Sequence, residues 1–355
     1  MIEGLFIVVI VEEETMDSVD IYNHVKQLIQ KYNGIDTDIE MHNLKMNKDG
    51  FNNNIAMFHL TLLKSEETFS KGVVLKDFSG DHKEGPKNTK FTKETALLRN
   101  ESIRKYIDIP KVYFVDEEKR IILMEKIEGV TLDKLYLTKP EKMIWAFEKF
   151  GETLAHIHSI DMKTIEMYFS DKHLGKEEYY KSYINNLKNR IIEFEEPEYL
   201  HILESISERF KAVEFNESLN HGDYHFWNVI LTNEDRLFVL DWEKARIADY
   251  RYDIANALIL GYSWFGVHLK KHMLAAYQHV TKKEIEHLDC FEALLSFDSF
   301  TKMIPLIQGG DDSYIRDKSF NWLKRRYELF VIHNGHRMKK VEDYLNAKGF
   351  STLNV

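Results

Sequence analysis

The chain has 355 residues, a formal net charge of -10, 44% apolar and 13% aromatic residues, 5 Pro and 16 Gly. Such a chain can bury a sizeable core in about two domains, so it is neither disordered nor low in complexity. The acidic balance disfavours a general nucleic-acid binder, which needs a basic footprint, and the single Cys290 excludes an internal disulfide and fits a reducing cytoplasm.

An apolar run of seven residues, Leu5 to Val11, opens the chain. It is far short of the roughly 20 needed to cross a bilayer and has no basic flank, so it reads as a buried strand rather than a membrane span or signal peptide. Met16 is an alternative start, because a helical pattern begins directly after it. Asp17 to Tyr32 carries Val19, Tyr22, Val25, Leu28 and Ile29 at helical spacing, and Asn33-Gly34 stops it. A strand-rich block follows: Ile39 to Met46, Ile55 to Leu63 and Gly72 to Phe78, with a turn at Asn47 to Asn54. Thr89 to Tyr106 reads as a helix; Ile109 to Val115 and Ile121 to Ile127 read as strands around the charged turn Asp116 to Lys119. From Thr131 the pattern is helical. Trp145, Phe147, Phe150, Leu154 and Ile157 predict a long buried helix ending near Asp161, followed by helices over Tyr179 to Phe194 and Ile202 to Phe215. The run Glu193-Phe194-Glu195-Glu196 reads as a solvated face or loop. After Ala255 the chain is mostly helical, with Asn321 to His336 a buried helix over Trp322, Leu323, Tyr327, Phe330 and Ile332. Cys290 sits in one such segment and reads as a core thiol.

The informative stretch is His221-Gly222-Asp223-Tyr224-His225-Phe226-Trp227-Asn228, with Val239-Leu240-Asp241-Trp242-Glu243 after it. Asn228 precedes the apolar run Val229-Ile230-Leu231, and Asp241 follows Phe238-Val239-Leu240. A hairpin around Thr232 to Arg236 brings Asn228 and Asp241 together. Phosphoryl transfer needs this ordering: one carboxylate orients the acceptor hydroxyl proton, while an amide oxygen and a second carboxylate hold magnesium. Asp223, Asn228 and Asp241 are the candidates.

These residues resemble the aminoglycoside phosphotransferase and choline kinase-like family. The resemblance covers about residues 36 to 270 and implies an α+β, bilobal protein-kinase-like fold: a small β-rich N-lobe over 36–127 and a larger, mostly helical C-lobe over 128–355, with residues 1–35 as an extension of a strand plus a helix. It implies Asp223 as catalytic base, Asn228 and Asp241 as metal ligands, ATP or GTP and Mg2+ as cofactors, and a small-molecule hydroxyl as acceptor. Lys76 in Val73-Val74-Leu75-Lys76 takes the place of the lysine that contacts the phosphates, and Glu94 is its helix partner, with Glu101 as the fallback. The loop at Gly50 is glycine-poor and is open between a phosphate cradle and a plain hairpin turn. Met124, Glu125 and Ile127 look like the nucleobase-binding hinge, ending at Glu128-Gly129. Where the family reads Gly-Asp-Pro, this chain has Ala248-Asp249-Tyr250; Asp253 remains, either to accept bonds from the catalytic loop or to cap a helix. His221 is expected to brace the catalytic loop, and His225 and Trp227 to shape the acceptor side. Glu243 is open between the metal's outer shell and a structural role.

A protein kinase is disfavoured because Gly222 stands where an Arg would follow His221. A metal hydrolase needs a His-rich ligand set, and the 16 His are scattered. A catalytically silent, kinase-like binding or coat-type protein is the remaining alternative, against which the intact Asp223, Asn228 and Asp241 count. The acceptor, the choice of ATP or GTP and the oligomeric state are not written in any motif.

Overall fold

The structure, a computed structural model, describes residues 18–33, 38–47, 54–63, 68–79, 90–165, 168–169, 176–193, 196–266, 269–307 and 313–349. The expected strand at Leu5 to Val11 and the loop carrying Gly50 lie outside them.

Helix α1 (Ser18–Asn33) leads into five strands: β1 (Asp38–Asn47), β2 (Asn54–Leu63), β3 (Thr68–Asp77) and, after helices α2 (Lys90–Leu98) and α3 (Glu101–Arg104), β4 (Val112–Asp116) and β5 (Ile121–Glu125). They form one antiparallel sheet in the order β1-β2-β3-β5-β4. Strand alternation gives the sheet two apolar faces. Ala56, Phe58, Leu60, Leu62, Val73, Leu75 and Leu123 pack with Ile21, Val25, Leu28 and Ile29 of α1. On the other face Phe78, Val115 and Ile122 pack with Phe91 of α2. Lys76, one residue from Leu75, therefore points to the α2 side.

The helix expected over Thr89 to Tyr106 is broken at Arg99-Asn100. Asn100 caps a new helix, its side-chain oxygen accepting from Ser102 N at 2.8 Å, while its amide donates to Thr164 O at 3.1 Å. Arg104 donates to the carbonyls of Leu98, Ile109 and Pro110 and holds the corner. Strand β3 begins four residues earlier than expected, and β5 ends at Glu125 rather than Ile127.

The second half begins with β6 (Val130–Thr131), α4 (Leu132–Thr138) and α5 (Met143–His158), the long helix that the aromatic spacing predicts. Then come α6 (Lys176–Glu193), α7 (Tyr199–Phe210), β7 (Glu217–Asn220), β8 (Val229–Leu231), β9 (Leu237–Val239) and β10 (Arg246–Asp249). Strands β8 and β9 form the expected hairpin, with β6 added to its edge. Gly129 allows this: a Cβ there would lie 2.4 Å from Leu231 O. The β7–β10 pair was not legible from the sequence; it brackets residues 221–245. The helices α8 (Arg251–Phe265), α9 (Lys270–Thr281), α10 (Leu288–Thr301), α11 (Ile304–Ile307), α12 (Ser313–Asn334) and α13 (Lys339–Ala347) complete the larger part. The overall α+β arrangement is as expected. Cys290 is buried in α10. Two further expectations fail. Glu196 is buried against Lys340 rather than solvated, and Ile332 of α12 is exposed. Among the described residues, no helix is long and apolar enough to cross a membrane.

Candidate active site

The loop between β7 and β8 carries Asp223. Gly222 enters it with φ +82°, and a Cβ there would sit 2.1 Å from Lys244 O, so only glycine fits without a shift. His221 is fully buried. Its Nε2 donates to Leu240 O at 2.9 Å, and its Nδ1 accepts from Asp223 N at 3.3 Å, which selects the neutral Nε2–H tautomer. Burial lowers the pKa of His221 in the same sense. The brace expected of His221 is thus a pair of bonds, one to each side of the site.

Asp253, in the first turn of α8, accepts from the backbone N–H groups of His221 at 2.6 Å and Gly222 at 3.0 Å. It is a loop support and not the helix cap; Tyr250 occupies that position. His158 Nε2 lies 3.5 Å from the same carboxylate. Burial pushes Asp253 up, but His158 and the Arg246 guanidinium outweigh it and the net direction is down.

Asp223 itself is held from two sides. Lys244 Nζ donates to Oδ2 at 3.0 Å, and His225 Nε2 lies 3.5 Å from Oδ1. Burial opposes the charge, yet His225 and Lys244 keep the carboxyl well below the usual range. The Asn228 amide nitrogen donates to Asp223 O at 3.0 Å, and Leu240 N donates to Asn228 O at 2.8 Å. The hairpin thereby ties Asn228 to the residue preceding Asp241.

Asp241 has φ 64° and ψ 65°, the left-handed region in which a non-glycine residue is strained. Its Oδ1 accepts from Lys76 Nζ at 2.5 Å. The same ammonium donates to Glu94 Oε2 at 2.6 Å and lies 3.3 Å from Glu243 Oε2. Burial opposes the lysine's charge, but Glu94, Asp241 and Glu243 hold it above its ordinary range. Burial pushes Glu94 up to about 7, opposed by Lys76. For Asp241, Lys76 outweighs burial and the direction is down. Glu101 is exposed on α3 and meets none of these groups, so Glu94 is the partner. Carboxylate oxygens of Glu94, Asp241 and Glu243 lie within 4.8 Å of one another. Such hard oxygen donors, with Asp241 about a third exposed, suit magnesium rather than a soft or imidazole-seeking metal.

At the candidate hinge, Glu125 N donates to Lys111 O at 2.8 Å and Lys126 N to Gly72 O at 3.1 Å. Met124 pairs with Val74 and Val112. Among the described residues, the Ile127 backbone N–H meets no acceptor. Trp227 packs against Trp264 and Trp322, with centroids 4.9 and 5.9 Å away. Sequence reasoning missed Lys244, although it directly follows Glu243, and also Lys90, 3.6 Å from Glu243 Oε1.

Residues 62–290, from the end of β2 into α10, match the phosphotransferase enzyme family. The chain belongs to this family. No curated protein sequence matches it. Among solved structures, the family member resembles a choline kinase from Streptococcus pneumoniae at 17% identity and TM-score 0.53, covering 88% of this chain and 99% of that one. An ethanolamine kinase from Plasmodium vivax follows at 11% and 0.57, covering 92% and 91%. A macrolide 2′-phosphotransferase from Brachybacterium faecium stands at 14% and 0.54, covering 89% and 100%. At such identities the likeness is one of fold, and the fold is the kinase-like one that the sequence motifs imply.

Proposed function

We propose that this phosphotransferase moves the γ-phosphoryl group of ATP or GTP to a hydroxyl of a small molecule, with magnesium. The observation that carries the reading is the convergence on Asp241: its carboxylate meets Lys76 from the sheet, while the hairpin ties it through Leu240 to Asn228 and so to Asp223. The fold likeness to kinases of choline and ethanolamine and to a macrolide phosphotransferase supports a small acceptor.

In this mechanism Asp223 accepts the hydroxyl hydrogen bond and then the proton. Its low pKa makes it an orienting base that takes the proton late, when the acceptor oxygen is already bonded to phosphorus. Lys76, fixed by Glu94, faces the nucleotide phosphates. Asn228 and Asp241 would hold the magnesium, which would supply positive charge against the phosphates. The Ile127 N–H, with Met124 and Glu125 beside it, receives the nucleobase edge. Gly50 belongs to the loop proposed to cover the phosphates. Most of the rate gain comes from positioning and fixed charge. The lobes divide after Ile127. A lone buried cysteine agrees with a reducing cytoplasm, where we place the protein.

The test is magnesium-dependent consumption of ATP and GTP with a panel of small alcohols, including choline and aminoglycosides, wild type beside Asp223→Ala. Acceptor-stimulated turnover that disappears in the variant is expected. Wild-type protein that binds neither nucleotide would sink the reading.

A further inference from the structure

We propose that Lys244 is a further catalytic residue, whose ammonium neutralises the phosphoryl group during its passage to the acceptor. The proposal rests on the phosphotransferase reading above and deepens it.

Three observations carry it. First, Lys244 Nζ donates to Asp223 Oδ2 at 3.0 Å, so it shares a carboxylate with the acceptor hydroxyl. A hydroxyl bound to Asp223 must come within about 2.6–3.2 Å of a carboxylate oxygen, which leaves the ammonium one hydrogen bond away from the point of attack. Second, the two lysines of the site differ in freedom. Lys76 is 5% exposed and enclosed by Glu94, Asp241 and Glu243, whereas the Lys244 side chain is 44% exposed and donates to Asp223. A lysine on a flexible four-carbon stem can follow a moving charge. Third, the backbone at Lys244 is pinned. Its carbonyl packs against Gly222 so closely that a Cβ there would lie 2.1 Å away, so its stem starts from a fixed place beside Asp223.

The chemistry calls for such a group. The oxygens of the passing phosphoryl group carry spread negative charge, and fixed cations stabilise it. Lys76 sits among three carboxylates, so its own charge is more than matched before any phosphate arrives. In the transfer, the acceptor oxygen bonds to the γ-phosphorus and the bond from that phosphorus to the β–γ bridging oxygen breaks. The bridging pair stays on the nucleoside diphosphate, and the hydroxyl proton goes to Asp223. Lys244 gains and loses no proton; it moves from Asp223 toward the phosphoryl oxygens. A lysine that only holds Asp223 in place is the plainer alternative, and the two part in their response to a phosphoryl mimic.

The experiment needs no acceptor. The affinities of full-length protein for ADP and GDP are measured with magnesium, with and without aluminium fluoride as a stand-in for the phosphoryl group in flight. Wild type, Lys244→Met and Lys244→Arg are compared, with melting temperature as the check on folding. Expected is fluoride-induced tightening in wild type, its loss by roughly tenfold or more in Lys244→Met with diphosphate affinity within about twofold, and its recovery in Lys244→Arg. Full tightening retained in Lys244→Met overturns the proposal. Wild type that binds neither diphosphate overturns the underlying phosphotransferase reading instead, so the two failures are distinct.

Discussion

The backbone N–H of His221 donates to the carboxylate of Asp253 at 2.6 Å, across 32 residues of chain. The bond fixes the loop two residues ahead of Asp223 from the start of α8, and both partners are buried. Asp253→Ala strands two backbone donors and leaves the nearby His158 and Arg246 without their carboxylate. We expect a loss of about 3–5 kcal/mol and a melting temperature lower by roughly 10 °C, read by thermal and urea unfolding. Asp253→Asn, which keeps the volume and one acceptor oxygen, should fall between.

Stability should depend on acid in a stated direction. Burial raises Asp253 and Asp298, but hydrogen bonds and charged neighbours outweigh it and both folded pKa values lie below the ordinary one. For Asp298 these are Lys302 and Arg190. A depressed carboxyl contributes stability above its unfolded pKa of about 3.9, and that contribution is lost as pH falls through the folded value. The urea midpoint should decline below about pH 4. Asp298→Asn should be less stable at pH 7 and show a shallower decline. An identical acid slope in the variant contradicts the assignment.

Glu94→Gln removes one charge-assisted partner from Lys76 without changing volume. At about 1.5 kcal/mol for such a bond, nucleotide affinity should fall roughly tenfold. Glu101→Gln is the control: that residue is exposed on α3 and should bind nucleotide as wild type does. Titration calorimetry on both variants decides.

Asn228→Ala should raise the magnesium needed for half-maximal turnover by about tenfold or more, the order seen when groups that organise a metal site are removed. Chelation of magnesium should abolish turnover in wild type. Unchanged magnesium dependence in the variant would remove Asn228 from the metal's ligands.

Gly222→Ala places a Cβ 2.1 Å from Lys244 O at φ +82°. Backbone strain of about 1–3 kcal/mol and displacement of the Asp223 loop should follow. The melting temperature and kcat should fall together while nucleotide affinity changes little, because Lys76 and Glu94 lie on other elements.

Much of this molecule was legible in the sequence because its signals are local. Apolar periodicity marked α1, the strands of the sheet and α5, since burial of one face imposes its spacing on the residues themselves. Asp223, Asn228 and Asp241 were legible because they fall within nineteen consecutive residues, bounded by two apolar runs that form a hairpin. Lys76 falls on a strand face, and of the two candidate glutamates Glu94 is the one that meets it. The break in the expected single long helix was not legible: the side chains of Asn100 and Arg104 bond to distant or looping backbone and end it early.

What only the tertiary structure decided lies in the joins. Strands β7 and β10 are four residues each and owe their existence to one another rather than to intrinsic preference. Asp241 takes a left-handed backbone because the hairpin and Lys76 hold it there. Lys244 reaches Asp223, and Asp253 reaches His221, across separations that no short motif encodes. The residue types needed for phosphoryl transfer are written along the chain. Which charge faces which is set by packing, because Coulomb energy depends on distance and burial, and folding alone determines both.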